Sequence, residues 1–133
     1  MKYMLIMQGK WGEWDENGIT GWSEDAVKGH MDFMHAVNKE LQEAGEFVQG
    51  EGLAPPDQAK IIHAGSDGSP AITDGPFPES KEFLAGWWIL DVESPERVYD
   101  IAAHISTAPG PDGKPLNMPI EVREVMQAPG QEM

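Results

Sequence analysis

Apolar positions in this chain recur with two periods, and each change of period marks an element. Along residues 2–8 the side chains alternate. Tyr3, Leu5 and Met7 fall on one face and Met4, Ile6 and Gln8 on the other, which predicts a strand with two largely apolar faces. Residues 9–22 carry no such pattern and are read as a loop. The rings of Trp11, Trp14 and Trp22 within it pack back on the body or, as the rival reading, line a pocket. The period then lengthens. Ser23 is a good N-cap, Glu24 and Asp25 suit the positive end of a helix, and Ala26, His30, Phe33, Met34, Val37 and Leu41 form one stripe that Gly45 ends.

Alternation returns in residues 46–53, weakened by Gly50 and Gly52, and stops at the prolines 55 and 56. Residues 58–64 and 71–73 are predicted as two short strands joined by the turn-rich 65–69. Thr73-Asp74-Gly75-Pro76-Phe77-Pro78-Glu79-Ser80-Lys81-Glu82 follows. Its Asp-Gly pair makes a tight turn, and two prolines hold the Phe77 ring stiffly between them. Residues 83–92, apolar on both faces, are the predicted central strand. Ser94-Pro95-Glu96 starts a second helix with the stripe Val98, Ile101, Ala102 and Ile105. Residues 108–115 form a Pro/Gly loop, and Ile120, Val122 and Val125 mark a last strand within 119–127.

This order predicts an α+β fold: a ferredoxin-like antiparallel sheet, two main helices on one face and an extra hairpin in the middle. Two helices cover one face only. The first and central strands are apolar on both, so the second face calls for a second copy of the chain, a homodimer with sheets face to face. A length of 133 residues fits a single domain over 1–127, with 128–133 as a frayed tail.

Charge narrows the chemistry. A net charge of −14 with only two arginines argues against nucleic-acid binding, which draws its affinity from neutralising phosphates. Gly50-Glu51-Gly52 lacks the rest of any phosphate-cradling loop, so no nucleotide cofactor is expected. With no cysteine there is neither a disulfide framework nor thiolate chemistry, and no apolar run approaches the ~20 residues of a membrane span. A cytoplasmic setting away from the membrane is the expectation.

Proton transfer remains. Histidine gives or takes a proton near neutral pH, and a carboxylate can orient its ring. His30 and His35 lie five apart on one helix and point about 140° away from each other, so they cannot share a metal, and no His-x-x-x-His pair exists. No metal is expected. Each histidine has a plain reading as a packed, hydrogen-bonded side chain, and Asp74 as a turn former. Glu51 between two glycines suits close approach of a ligand or a bulge. Lys81 is the cation beside the Phe77 turn, with a solvated side chain as its plain reading.

The opening Met1-Lys2-Tyr3-Met4-Leu5, the turn Gly50-Glu51-Gly52-Leu53, the segment from Thr73 to Glu82 and the ending Ile120-Glu121-Val122-Arg123 together resemble the YCII-related family, in its DGPF-motif branch, over nearly the whole chain. The resemblance implies a dimeric α+β barrel and a cleft holding a His and an Asp. The family's helical His corresponds to His35 within one position, and Asp74 lies in the shared motif; the family's second-helix Asp has no match in residues 103–109. On this reading the chain is a cofactor-free acid–base enzyme for a small metabolite. His35, or failing that His30, would act with Asp74, while Glu51, Phe77 and Lys81 contact the ligand. The alternative is a non-catalytic module that binds a small ligand or a regulatory partner.

Overall fold

The computed structural model describes residues 1–10, 14–15, 18–19, 21–54, 56–75 and 82–126, with backbone alone at 14–15 and 18–19. The elements in chain order are β1 (Lys2–Lys10), β2 (Trp14–Asp15), β3 (Gly18–Ile19), α1 (Glu24–Glu43), β4 (Phe47–Gly52), a short 3-10 turn (Pro56–Gln58), β5 (Lys60–Ala64), β6 (Pro70–Asp74), β7 (Glu82–Asp91), α2 (Pro95–Ser106) and β8 (Ile120–Glu124). The main sheet runs β4-β7-β1-β8 with every pair antiparallel, an order consistent with a ferredoxin-like fold. β5 and β6 form the extra hairpin as a sheet of their own. The loop predicted for 9–22 differs: β1 continues to Lys10, and a small antiparallel pair, β2–β3, lies inside it. The last strand is shorter than its pattern predicts: its register with β1 runs from Ile120 to Glu124, and beyond it a single bond joins the Val125 N–H to the Lys2 carbonyl at 2.9 Å.

Both helices begin and end as their caps dictate. The Ser23 Oγ accepts from the Ala26 N–H at 3.1 Å, and the Ser94 Oγ from the Arg97 N–H at 3.2 Å. Beyond α1 the chain reverses at Gly45 (φ 75°), where the Glu46 N–H reaches back to the Leu41 carbonyl at 2.9 Å. Both apolar stripes meet one face of the sheet. Met34, Val37 and Leu41 from α1 and Val98, Ile101 and Ile105 from α2 pack with Tyr3, Leu5, Trp88 and Leu90. The other face carries Met4 and Ile6 of β1 opposite Ile89 and Trp87 of β7, all half-buried and outside that core.

One ion pair ties the end of α1 to α2. Arg97 donates from Nε and Nη2 to the two oxygens of Glu46 at 2.9 and 2.7 Å, and these bonds hold the Glu46 carboxyl below the usual carboxylate range. Because the folded pKa is depressed, the pair contributes above the ordinary carboxylate range and is lost as pH falls through the folded value. Arg97 is well exposed, so Arg97→Met should cost only about 1 kcal/mol at pH 7. Urea denaturation should show that difference closing as pH falls below the ordinary carboxylate range. A gap that persists once the Glu46 carboxyl is protonated would assign the effect to packing of the arginine stem.

Candidate functional site

Three glycines leave the helix-facing side of β4 and β7 bare at one end. Along that side β7 presents Leu90, Trp88 and Gly86, and β4 sets Phe47, Gly50 and Gly52 opposite them in register. At the Leu90 end side chains fill the space under α1. At the Gly52–Gly86 end only backbone lies there, and a hollow of about 860 Å³ opens between this floor and the first half of α1. Such a volume is within the range of small-molecule sites.

The glycines are not interchangeable. A Cβ at Gly86 would come 2.8 Å from the Glu51 carbonyl oxygen, and one at Gly50 would crowd Trp88 and Phe47 at 3.1 Å. A Cβ at Gly52 would meet nothing within 4 Å. Gly86→Ala should therefore push β4 off β7 and cost about 2 kcal/mol in urea denaturation, whereas Gly52→Ala should be close to neutral.

The roof is the face of α1 bearing His30, Met34 and Asn38, each four residues from the next and so in one row along the helix. Trp22 closes one end, its ring edge-on to His30 with centroids 5.6 Å apart. His30 is only 9 % exposed, and its Nδ1 lies 3.1 Å from the Pro109 carbonyl oxygen. A carbonyl can only accept, so Nδ1 carries the hydrogen and donates it. In the neutral ring this leaves a lone pair on Nε2, which no described residue engages. Pro109 is itself held in place: residues 109 and 115 form a β-bridge, and the Leu116 N–H bonds the Ala108 carbonyl at 2.9 Å. Opposite, Trp88 donates from Nε1 to the Asn38 Oδ1 at 2.8 Å.

His35 also lines the hollow, but as an exposed side chain at its mouth, together with Glu24 and Lys28. Glu51 contributes its backbone to the lining from β4; it pairs with Trp87, so strand alternation sets its side chain on the opposite face of the sheet. Asp74 is elsewhere. It ends β6 opposite Lys60 at the open end of the β5–β6 hairpin, accepts from Lys60 Nζ at 2.5 Å, keeps 88 % of its side chain exposed, and is not among the residues around the hollow. The Lys60 ammonium holds its carboxyl below the usual range. The structure thus brings His30, His35 and the Glu51 backbone to one hollow and places Asp74 on the hairpin. Phe77, Lys81 and Trp11 lie outside the described residues, as does the tail from 127 on. Among the described residues no three His, Asp or Glu side chains gather as a metal ion would need.

The sequence reading passed over Asn38, Trp88 and the joint role of Gly50, Gly52 and Gly86. Asn38 had a signal: eight residues after His30, it is a polar residue on the same row of the helix. The glycine floor had none until the register put Gly52 opposite Gly86.

Comparison with known proteins agrees with this layout at the level of the domain. A family model described as a YCII-related domain matches residues 1–110. An uncharacterized protein of Rhizobium meliloti (strain 1021) is 32% identical over 94 residues, which cover 71% of this chain and 75% of that protein.

Proposed function

We propose, for a chain that belongs to the YCII-related family, that the hollow under α1 binds a small, mostly apolar molecule and that His30 exchanges a proton with its polar end. The observation that carries this reading is His30 itself. It is a buried imidazole, fixed in one tautomer by the Pro109 carbonyl, with its other nitrogen engaged by no described residue beside a hollow large enough for a substrate. The step is cofactor-free: a substrate proton moves to Nε2, and a proton returns from Nε2 to a neighbouring substrate atom as the neutral ring is restored. His35 at the mouth is the group available to exchange that proton with water. The Thr73–Asp74–Gly75 segment supports the DGPF branch of the family, with Asp74 there ending β6 and paired to Lys60.

Filling the hollow tests the binding half. Gly52→Ile has room for its side chain and suits a strand, so stability should stay within about 0.5 kcal/mol while ligands found in a fragment screen cease to bind. Unchanged fragment binding would remove the hollow from the account. For the chemical half, bound fragments with an acidic C–H should take up deuterium from D2O faster with the natural protein than with His30→Gln. Binding without such exchange would favour the second reading, a module that holds its ligand without turnover. One observation leans that way: no described carboxylate hydrogen-bonds His30 or His35, so an imidazolium at either would lack an ionic partner.

The same proposal includes a homodimer. Met4 paired with Ile89 and Ile6 paired with Trp87 make a continuous apolar strip on the face that the helices leave uncovered, bordered by the polar Gln49, Glu121 and Arg123. An apolar centre with a polar rim suits burial against its own copy. Among the described residues no helix is long and apolar enough to cross a membrane.

A further inference from the structure

We infer the class of ligand from two polar groups whose orientations the fold has fixed: an uncharged, elongated molecule with a flat apolar body, a hydroxyl-type donor at one end and a carbonyl acceptor at the other. This rests on the hollow being a binding site, as proposed above.

The Trp88 indole nitrogen can only donate, so the Asn38 atom it meets must be the amide oxygen. The Asn38 NH2 is then turned away from Trp88, and no described residue accepts from it. By the same logic His30, with Nδ1–H committed to Pro109, offers an acceptor at Nε2. One helix therefore presents an acceptor and a donor to a single hollow. They stand eight residues apart, about 12 Å along the axis. Between them lies Met34, a thioether that adapts to a flat surface, with Trp22 and Trp88 supplying further apolar wall. A ligand satisfying both groups must span two helical turns with an apolar middle. One with a single polar end leaves the other group unmatched.

Charge removes anions from the set. Glu24 lines the hollow, and the ammonium of Lys28, the lysine there, is engaged by Asp32 at 2.6 Å. A carboxylate or phosphate ligand would meet a like charge and no unengaged cation from the described lining.

Three probes and one variant test the inference: a hydroxynaphthyl methyl ketone with its two groups at opposite ends, the methyl ether of that hydroxyl, and the matching hydroxynaphthalene carboxylate. Binding is read from the amide NMR shifts of Gly50, Gly52 and Gly86. The hydroxy-ketone should bind tightest, with the ether and the carboxylate each roughly fivefold or more weaker. Asn38→Asp keeps an oxygen for Trp88, and so the fold, but exchanges the donor for an acceptor. The hydroxy-ketone should weaken roughly tenfold or more on it, while ligands touching only the apolar wall do not. Probes that move the glycine amides without these preferences would sink this inference and leave the hollow as a binding site. No movement from any of the three also overturns it, and the Gly52→Ile comparison then decides separately whether the hollow binds anything.

Discussion

Trp88→Ala should lower the free energy of unfolding by about 4 kcal/mol and abolish ligand binding with it. The indole is 6 % exposed, belongs to the central core, abuts Gly50 and Phe47 on β4, and bonds Asn38 on α1. Its removal leaves a large void where the helix meets the strands, and deprives Asn38 of the partner that sets its amide. Trp88→Phe separates the two effects. It keeps most of the apolar volume, so the loss should shrink to about 1–2 kcal/mol, near the cost of one hydrogen bond and the leftover space. Ligand discrimination at the Asn38 end should nevertheless fade, because the freed amide can turn over. Urea denaturation measures the first quantity and fragment titration the second. A Trp88→Phe protein that kept full discrimination would show that something else orients Asn38.

Ile89→Lys should convert a dimer into single protomers. Ile89 sits on the face opposite the helices, half-buried, directly across from Met4. In the proposed homodimer a lysine there would bury an ammonium between two apolar strips with no carboxylate on the paired positions, a penalty of several kcal/mol. The dissociation constant should rise at least about a hundredfold. Sedimentation equilibrium should then give one protomer mass where the proposed homodimer gives two, with the circular dichroism of the fold retained. Should the natural protein itself sediment as one protomer at high dilution, the homodimer fails and the second face needs another explanation.

Much of the framework could be read from the chain because single periodicities decided it. The α1 stripe from His30 to Leu41 and its stop at Gly45, the two-sided apolar β1 and β7, and the Ser94-Pro95 start of α2 each follow from local chemistry. The site was less legible, since it depends on register. The three glycines form a floor only because β4 pairs with β7 so that Gly52 faces Gly86, and that pairing is set by turns and bulges with no periodic signature. The choice between His30 and His35 turned on a carbonyl 79 residues away, held by the loop after α2. Asp74 looked like a partner for either because its motif is distinctive, but its place opposite Lys60 at the open end of the hairpin commits its carboxylate to that lysine. A side chain that reads as chemistry in sequence can be spent on a cross-strand ion pair.

The most direct measurement is the long-range proton–nitrogen NMR spectrum of the histidine rings, taken with and without a ligand from the fragment screen. His30 should show hydrogen on Nδ1 and a bare Nε2 whose nitrogen shift moves when ligand is added, while His63, exposed on β5, stays unchanged. A His30 ring that instead carries its hydrogen on Nε2, and that no hollow-bound ligand disturbs, would contradict the account at its centre.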